Sequence, residues 1–568
     1  MTSPDPLARA RGRLRLLALA FLLAFGAVGG RLLQLLLAEP PATAARTARA
    51  EPEVGPRADI VDRHGRLLAT DIPSVSFALD PLYVRDPAAT AARIAAVLEG
   101  VDTAELTRRL ARPGSRYAPV KRHLLPREQR AVLELGLPGT ILRTRFRRVY
   151  PQGDLAAHLL GAVGADGRGL AGVEYAFDRR LREDPDRPLR LALDLRVQFA
   201  LREELEAAFR RFRAKGACGL VLDVHGGDLL AEVSLPALDP LRFGEAPEEV
   251  RLDRCSGAVY ELGSVFKLVT AAMALESGRV DLARRFDARG PYRIGRFRIR
   301  DVHDYRRALT VPEIVAFSSN VGTVQMAFAA GGAAVMEPFL RRLGFDRPLD
   351  WPLPERARPL FPRRWPEITV ATVAFGHGIA VSPLQYARAV AALVSDGRPR
   401  RVRVRADAPV EVAREPVVGE ATVERLRWLM WLVVERGTGT KAASRRYLVG
   451  GKTGTADKPA RGRRGYDRDR TVSSFVGVFP VDAPRYLVLV VLDEPVGDEG
   501  TFGFRYGGWT AAPVVGAVIE RIGPLLGVPP ADEEVRRRYF ARLREERFVD
   551  PGTGRREKRL AFVAPDRR

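Results

Sequence analysis

The longest apolar stretch of the chain lies near its amino terminus. Fifteen residues without a charge run from Leu16 to Gly30, and the apolar character continues with short interruptions to Ala38. As a helix, residues 16–38 would be about 35 Å long, enough to cross a hydrocarbon core of ~30 Å. Four arginines and one aspartate precede the run. That excess of positive charge predicts a cytoplasmic amino terminus, with the rest of the chain exported.

A cleaved signal peptide is the alternative for this segment, because Ala42-Thr43-Ala44 has the small-x-small form of a cleavage site. The apolar run is longer than the usual h-region of about 7–15 residues, which favours an uncleaved anchor. The basic flank disfavours a buried core helix. The mass of the mature protein distinguishes the uncleaved anchor from the cleaved signal peptide, since a chain that starts near Ala45 would have lost the anchor.

Beyond this segment, the clearest strand patterns are two hairpins that lie far apart in the chain. The first joins Cys218–Val224 to Leu229–Val233, and the second joins Val472–Phe479 to Tyr486–Leu492. Mostly helical segments lie between them. This order predicts an antiparallel sheet flanked by helices, with its strands drawn from opposite ends of one domain, which is an α+β fold.

The remaining segments have weaker patterns. An Ala-, Pro- and Arg-rich stretch is typical of a linker, and the short strands, helices and glycine-rich turns after it contain no catalytic constellation. A long helical pattern follows Asp194, and a charged tail with one helix ends the chain. We predict a cytoplasmic tail 1–15, an anchor 16–38, a linker 39–53, a non-catalytic module 54–190, a catalytic domain 191–528 and a basic tail 529–568.

Composition narrows the classes of function. The net charge is +23, carried by 92 basic residues of which only seven are lysine. This balance fits a polyanionic partner such as nucleic acid, or only a preference for arginine. Two cysteines exclude a disulfide scaffold and a four-thiolate zinc site, and the six histidines have no ligand spacing. We therefore predict no metal and no cofactor, while a bond between Cys218 and Cys255 stays open.

One of the seven lysines has an unusual position. Lys267 follows Ser264 by three residues, and the segment to Leu275 is almost wholly apolar. A helix this apolar is buried, and burial pushes a lysine toward its neutral amine. The two side chains share one helical face, so the amine can take the hydroxyl proton and make a nucleophile. The alternative is that Ser264 only caps the helix.

Two further motifs follow in the order known for enzymes with a Ser-x-x-Lys nucleophile. They are Ser318-x-Asn320 and Lys452-Thr453-Gly454-Thr455. Lys452 on an edge strand would place a second cation near Lys267 and disfavour protonation of Lys267 further. The glycines beside Lys452 would let a substrate backbone approach and pair with the strand.

With this ordered trio, the sequence resembles the penicillin-binding proteins, and more closely class B, the monofunctional peptidoglycan D,D-transpeptidases. The likeness runs from the anchor to about Gly527. Segments that resemble family motifs outside the trio are Arg57–Gly65, Arg148–Pro151, Gly169–Glu174 and Gly376–Gln385. Leu262 stands where many members have proline, and Arg254-Cys255 where many have Asn-Arg. Neither departure removes a reacting group.

Within the class, the likeness is to the septal transpeptidases of cell division, carried by Tyr447–Thr455, Leu492–Pro495 and Gly508–Pro513. An elongation-type class B enzyme is the near alternative. A mainly structural component of the division machinery is a second one. A D,D-carboxypeptidase or β-lactam sensor shares the trio, but the long amino-terminal module and the single anchor do not favour either.

The resemblance implies catalytic roles for the first two motifs. Ser264 attacks the carbonyl between two D-alanines of a stem peptide and releases the terminal one. Lys267 is the base, and Ser318 and Asn320 relay the proton and orient Lys267 and the substrate.

For the third motif, the resemblance implies substrate binding. Lys452, with the hydroxyls of Thr453 and Thr455 on either side of Gly454, holds the terminal carboxylate. The backbone N–H groups of Ser264 and Thr455 form the oxyanion hole.

The family likeness also implies an architecture and a location. It predicts a single-pass protein of the bacterial cytoplasmic (inner) membrane, with an elongated pedestal module and a serine-acyltransferase domain on the periplasmic side. The implied partners are stem peptides, β-lactams, the membrane and a glycan-polymerising protein of the division machinery. An exported location argues against nucleic acid. His377 is expected either to line the cleft or to be a loop histidine with a structural hydrogen bond.

Overall fold

The structure is a computed structural model that describes residues 6–37, 55–460, 462 and 465–545. The first helix covers Pro6–Leu37 and contains nearly all of the predicted anchor 16–38. Within the described ranges, no helix combines the length and the mean hydropathy needed to cross a membrane. The predicted linker 39–53 lies outside the described residues, as do positions 1–5 and 546–568 of the two predicted tails.

Helices and strands are numbered in chain order. The strands are β1 (Ile60–Val61), β2 (Leu67–Leu79), β3 (Ala118–Leu124), β4 (Thr140–Val149), β5 (Leu189–Arg190), β6 (Gly216–Asp223), β7 (Leu229–Leu235), β8 (Arg285–Asp287), β9 (Tyr292–Ile294), β10 (Phe297–Ile299), β11 (Ala308–Thr310), β12 (Gly450–Pro459), β13 (Tyr466–Phe479) and β14 (Tyr486–Asp493). The helices are α1 (Pro6–Leu37), α2 (Pro87–Ala95), α3 (Thr103–Leu110), α4 (Pro126–Glu134), α5 (Ala157–Leu160), α6 (Gly172–Ala176), α7 (Asp178–Glu183), α8 (Leu195–Arg211), α9 (Glu248–Arg251), α10 (Lys267–Glu276), α11 (Val311–Phe317), α12 (Asn320–Ala330), α13 (Ala333–Arg342), α14 (Glu367–Ala374), α15 (Pro383–Val394), α16 (Glu420–Arg436), α17 (Ala511–Leu525) and α18 (Glu533–Glu545).

The chain forms two compact units. The smaller is built on residues 73–147, and the larger takes residues 56–72 together with the chain from 148 onward. In the smaller unit, β2 pairs antiparallel with β3, and α2 and α3 begin at side-chain caps made by Asp86 and Asp102. Its core is formed by Phe77, Leu79, Ile94, Leu106, Leu110 and Val132, among other apolar side chains.

The larger unit contains a five-stranded antiparallel sheet in the order β12-β13-β14-β6-β7. Along β14, Leu487, Leu489 and Val491 join one apolar cluster, whereas Val488, Val490 and Leu492 join another. The first cluster includes α10, α11, α15 and α16, and the second includes α8 and α17. Because helices cover both faces, the central strand β14 has apolar side chains on both faces rather than in alternation. The predicted α+β fold is confirmed, with both predicted hairpins in one sheet.

Local signals explain other elements of this unit. Helix α8 follows Asp194, whose side chain accepts a hydrogen bond from the backbone N–H of Arg196, as expected of an N-cap. Cys218 on β6 and Cys255 form a disulfide, which the sequence had left open.

Segments that resemble family motifs outside the trio meet in a buried ion network within the larger unit. Arg57 pairs with Glu174 at 2.8 Å and with Asp178 at 2.6 Å. Arg148 pairs with Glu174 at 2.6 Å and with Asp71 at 3.2 Å. Glu174 therefore joins both guanidinium groups and ties the segment 56–72 to the chain after residue 148.

Candidate active site

The segment that carries the predicted nucleophile is a tight turn rather than the start of a regular α-helix. Residues Gly263–Phe266 form a 3-10 turn, and α10 begins at Lys267. Gly263 has φ +60°, and a Cβ there would collide with the backbone carbonyl of Thr455 on β12. Only glycine fits this close approach without strain. The turn is thereby seated directly on the strand of the third motif.

Ser264 is half-buried at this turn, and no hydrogen bond within the described residues involves its hydroxyl. It is therefore not a side-chain cap of the helix, contrary to the alternative expectation. The side chain of Lys267, three residues on, is completely buried, as the sequence predicted.

The second motif lies where α11 ends and α12 begins. Ser318 ends α11 in the left-handed conformation, with φ 61° and ψ 41°, which is uncommon for a residue with a side chain. This conformation directs both its carbonyl and its hydroxyl to one amine. Lys267 Nζ donates to the Ser318 carbonyl and lies 3.0 Å from Ser318 Oγ.

Lys452 reaches the same hydroxyl from the opposite side. It lies on β12, which is an edge strand of the sheet, as predicted. Its Nζ lies 3.0 Å from Ser318 Oγ and 3.0 Å from the carbonyl of Thr453. One serine oxygen thus bridges the lysines of the first and third motifs.

Burial sets the protonation of both amines. Removal from water lowers the pKa of Lys267 to about 7, and the charge of Asp301 opposes this by raising it. Burial and then repulsion from Lys267 hold the pKa of Lys452 well below the usual lysine range. Two ammonium groups beside one oxygen in a dry site repel each other strongly. At neutral pH the site therefore favours a form in which the two lysine side chains are not both positively charged.

Asn320 occupies a different position from the one its expected role suggests. Its side-chain amide donates to the carbonyl of Arg300 at 3.0 Å rather than to Lys267. Ser319 separates it from Ser318 and caps α12 by accepting a hydrogen bond from the Gly322 N–H. In this structure Asn320 therefore ties the motif to the preceding loop.

Asp301 is a site residue that the sequence analysis missed. Its carboxylate accepts hydrogen bonds from Ser319 Oγ at 2.7 Å, from the Val321 N–H at 3.0 Å and from the Asn320 N–H. It thus fixes the backbone of the second motif and is also the charge that raises the Lys267 pKa. One aspartate in an arginine-rich segment has no spacing signal, so pattern alone could not identify it.

The hydroxyls of the third motif are held by neighbouring elements. Thr453 Oγ1 lies 2.7 Å from Thr438 Oγ1, and Thr455 Oγ1 accepts from the Gly507 N–H at 3.1 Å. The structure gives a different reason for the glycines from the predicted space for substrate. A Cβ on Gly454 would meet the Leu262 carbonyl, and one on Gly451 would meet the Phe475 ring. Both glycines permit close packing within the chain.

A second group of side chains surrounds Glu261, which lies two residues before the turn that carries Ser264. Glu261 accepts from the Gly378 N–H at 2.9 Å and from the Tyr466 hydroxyl at 3.2 Å. The His377 ring stacks edge-on against Tyr466, with ring centres 5.4 Å apart. Burial and the nearby Lys267 lower the pKa of His377 to about 4, which keeps the imidazole neutral. His377 is thus a partly buried neighbour of the lysine site.

One group among the described residues brings metal-ligand atoms together. A carboxylate oxygen of Glu232, one of Asp253 and the sulfur of Cys255 lie within 4.8 Å of one another. Because Cys255 is bonded to Cys218, this sulfur is not a free thiolate, so the set does not fit a thiolate-ligated metal.

Comparison with known proteins agrees with this arrangement. A family model described as the penicillin-binding protein transpeptidase domain matches residues 217–520, and one described as the penicillin-binding protein dimerisation domain matches residues 52–184. A peptidoglycan synthetase structure from Bifidobacterium adolescentis aligns with a TM-score of 0.64 at 23% identity, over 84% of this chain and 96% of that one, which shows the same fold.

Curated relatives are similar over most of the chain. A probable peptidoglycan D,D-transpeptidase FtsI from Caulobacter vibrioides is 42% identical over 492 residues, covering 85% of this chain and 83% of that protein. The peptidoglycan D,D-transpeptidase FtsI of Escherichia coli K12 is 31% identical over 552 residues, covering 91% of each. The chain therefore belongs to the penicillin-binding proteins, in the class that joins a dimerisation domain to a transpeptidase domain.

Proposed function

We propose that this protein is a peptidoglycan D,D-transpeptidase that cross-links stem peptides through a serine acyl-enzyme in septal wall synthesis. The observation that carries the proposal is the buried Lys267, with a pKa lowered to about 7, three residues from a serine hydroxyl that has no hydrogen bond to any described residue. A base with a pKa near the working pH is the most effective proton acceptor. The named activity of both FtsI relatives supports the same reaction.

In the first half-reaction, Lys267 takes the hydroxyl proton of Ser264. At the same time, Ser264 Oγ bonds to the carbonyl carbon between the two D-alanines. The C–N bond then breaks, the terminal D-alanine leaves as an amine that gains a proton, and an ester to Ser264 remains. In the second half-reaction, an amine of a neighbouring stem peptide attacks the ester carbonyl carbon, so that a new C–N bond forms and the C–O bond to Ser264 breaks. The amine loses a proton, and Ser264 Oγ regains one. Ser318, between the two lysines, is the proposed proton relay.

Recognition of the terminal carboxylate falls to the third motif. Lys452 supplies positive charge, and a bound carboxylate raises its pKa back toward the charged form. Thr455 Oγ1 already accepts a hydrogen bond from the Gly507 N–H, so its own hydroxyl proton is available to the substrate. Thr453 supplies the other hydroxyl. The backbone N–H groups of Ser264 and Thr455 form the proposed oxyanion hole, by likeness to the family.

Penicillin tests these assignments, because a β-lactam mimics the D-Ala-D-Ala terminus and acylates the same serine. Mass spectrometry of the treated protein should find one adduct, on Ser264, and none in a Ser264→Ala variant. A Ser277→Ala variant, which changes another serine of the same helical region, should keep the adduct. An adduct on another residue, or none in the wild-type protein, contradicts the proposal.

We also propose that residues 16–38 anchor the protein in the bacterial cytoplasmic membrane, with the domains on the periplasmic side. A continuous helix over Pro6–Leu37, with its arginines ahead of the apolar run, supports this. The predicted pedestal module 54–190 and catalytic domain 191–528 then both lie outside the cytoplasm. The mass of the membrane-fraction protein tests the anchor, and a mature chain that starts near Ala45 contradicts it.

The proposed septal role fits the FtsI names of the relatives, and the proposed glycan-polymerising partner rests on the family likeness alone. Complementation of a strain depleted of its septal transpeptidase separates this role from that of an elongation-type enzyme. Growth restored only in an elongation-defective strain would contradict the septal role. A Ser264→Ala variant that still supports division would favour a mainly structural component.

A further inference from the structure

A short hairpin next to the second motif has two unlike faces. Strands β9 and β10 pair antiparallel, with Phe297 opposite Ile294 and Ile299 opposite Tyr292. Tyr292, Ile294 and Ile299 pack on Val324 of α12 and on α14. Phe297 lies on the same face of the hairpin but is exposed. Tyr292 stacks on Phe328 of α12 with ring centres 6.2 Å apart. The apolar face therefore fixes the hairpin to the helix that begins at Asn320.

The other face places two arginines directly opposite each other. Arg293 and Arg298 are register partners across the hairpin, and both are exposed. Like charges at opposed positions destabilise a strand pair, so this arrangement brings no gain in folding. Arg296 in the turn and Arg300 after β10 are exposed beside them. We call these four residues the arginine face.

None of these four side chains forms an ion pair with a described residue, whereas three other arginines nearby in the chain do. Arg289 pairs with Asp287 at 2.8 Å, Arg306 with Asp304 at 3.2 Å, and Arg307 with Glu313 at 3.0 Å. A general preference for arginine explains paired surface arginines. It does not explain an unpaired set gathered on one face of one hairpin.

The arginine face is joined to the candidate active site. The Arg300 carbonyl accepts the side-chain amide of Asn320, and the next residue, Asp301, caps α12. A strand rises ~3.3 Å per residue, so Arg298 lies about 7 Å further along the chain from this contact. A substrate extended out of the cleft past the second motif can therefore reach the arginines.

We propose that the arginine face binds carboxylates of the peptidoglycan strand that lie outside the reacting D-alanyl bond. The inference rests on the proposed function, since stem peptides repeated along a glycan strand supply the carboxylates. Guanidinium groups suit carboxylates because they donate two parallel hydrogen bonds. Each exposed contact is weak, but several stem peptides on one strand add their contacts through high effective concentration. The surface thus selects polymeric strands over single stem peptides.

The test compares two substrates with one enzyme. Arg293→Ser/Arg298→Ser is measured with uncross-linked glycan strands and with a single stem peptide, each with the same amine acceptor. We expect the KM for strands, divided by the KM for the single stem peptide, to rise about fivefold in this variant. The rise should be smaller at high salt. Arg293→Lys/Arg298→Lys should restore part of the preference. Arg537→Ser/Arg538→Ser, which removes two exposed arginines of α18, should keep the wild-type ratio.

Each other outcome has a definite meaning. An unchanged KM ratio in the serine variant, or an equal loss with both substrates, overturns the inference. If the serine variant loses binding to anionic phospholipid vesicles but keeps the wild-type KM for glycan strands, the inference is also overturned, and the arginine face is assigned to lipid. If the wild-type protein transfers no stem peptide and takes up no penicillin, the proposed function itself has failed, which is a separate result.

Discussion

Replacement of Lys267 by methionine tests the central electrostatic claim, because methionine keeps the apolar stem and removes the amine. Lys267 is completely buried, and its pKa falls from 10.5 to about 7 with burial as the main cause. A fall of this size corresponds to a cost of about 5 kcal/mol for holding the charged form in the folded protein. The hydrogen bonds of Nζ to Ser318 offset about 1–3 kcal/mol of this cost.

The sign of the pH dependence follows from the lowered pKa. Between about pH 7 and pH 10.5 the unfolded chain binds more protons at this lysine than the folded chain does. Lys267 therefore makes the free energy of unfolding of the wild-type protein rise with pH in this window, by about 1.4 kcal/mol per pH unit, in addition to the contribution of Lys452. Lys267→Met lacks this rise. The variant should be the more stable protein at pH 6, by about 2–4 kcal/mol, and should lose this advantage by pH 10.

Urea unfolding at pH 6, 7, 8, 9 and 10 measures this difference. All five tryptophans lie between residues 351 and 509, in the larger unit, so their fluorescence reports the unit that holds the site. Lys215→Met, which removes an exposed amine, should follow the wild-type curve. Parallel curves of unfolding free energy against pH for wild type and Lys267→Met would refute the reasoning. Burial would then not lower the Lys267 pKa, and Lys267 would not be a neutral base near pH 7.

Three further predictions follow from the same contacts. The rate of acylation by penicillin should rise with pH about an apparent pKa near 7. Asp301→Asn should move this midpoint to lower pH, because the Asp301 charge raises the Lys267 pKa. Stopped-flow acylation rates measure the midpoint, and an unmoved midpoint contradicts the prediction. Gly263→Ala should lower Tm and slow acylation, at a cost of about 1–3 kcal/mol, whereas Gly278→Ala, with a similar φ but open space around it, should keep the acylation rate. Glu174→Ala should cost about 3–5 kcal/mol in urea unfolding by leaving two buried guanidinium groups without their shared partner; an unchanged unfolding midpoint would show that the network does not stabilise the unit.

Those parts of the site with a strong local signal could be predicted from the sequence. An apolar helix that contains one lysine has to be buried, so the environment of Lys267 followed from composition alone. The hairpins followed from β-branched runs with turn residues between them. The order of the three motifs then indicated that Ser264, Ser318 and Lys452 belong to one site, and in the structure the amines of Lys267 and Lys452 both contact the Ser318 hydroxyl.

Other parts depend on contacts between residues far apart in the chain, and no local pattern records them. Asp301 acts through backbone N–H groups nineteen and twenty positions away. The left-handed conformation of Ser318 is imposed by its surroundings, since serine has no preference for it. The glycines of the third motif also have a packing role that the sequence did not predict, because the packing partners Leu262 and Phe475 are invisible in the motif itself.

The pairing of β6 with β14 has a consequence for the newly made chain. Leu220 and Leu489 are neighbours across this pair, although most of the domain separates them in the sequence. At typical translation rates, roughly 15–50 s pass between the synthesis of the two strands. Through that interval the β6–β7 hairpin has one apolar edge without its partner strand, a form prone to aggregation. A premature stop before Tyr486 therefore removes the centre of the sheet and costs the whole domain, including motifs already synthesised.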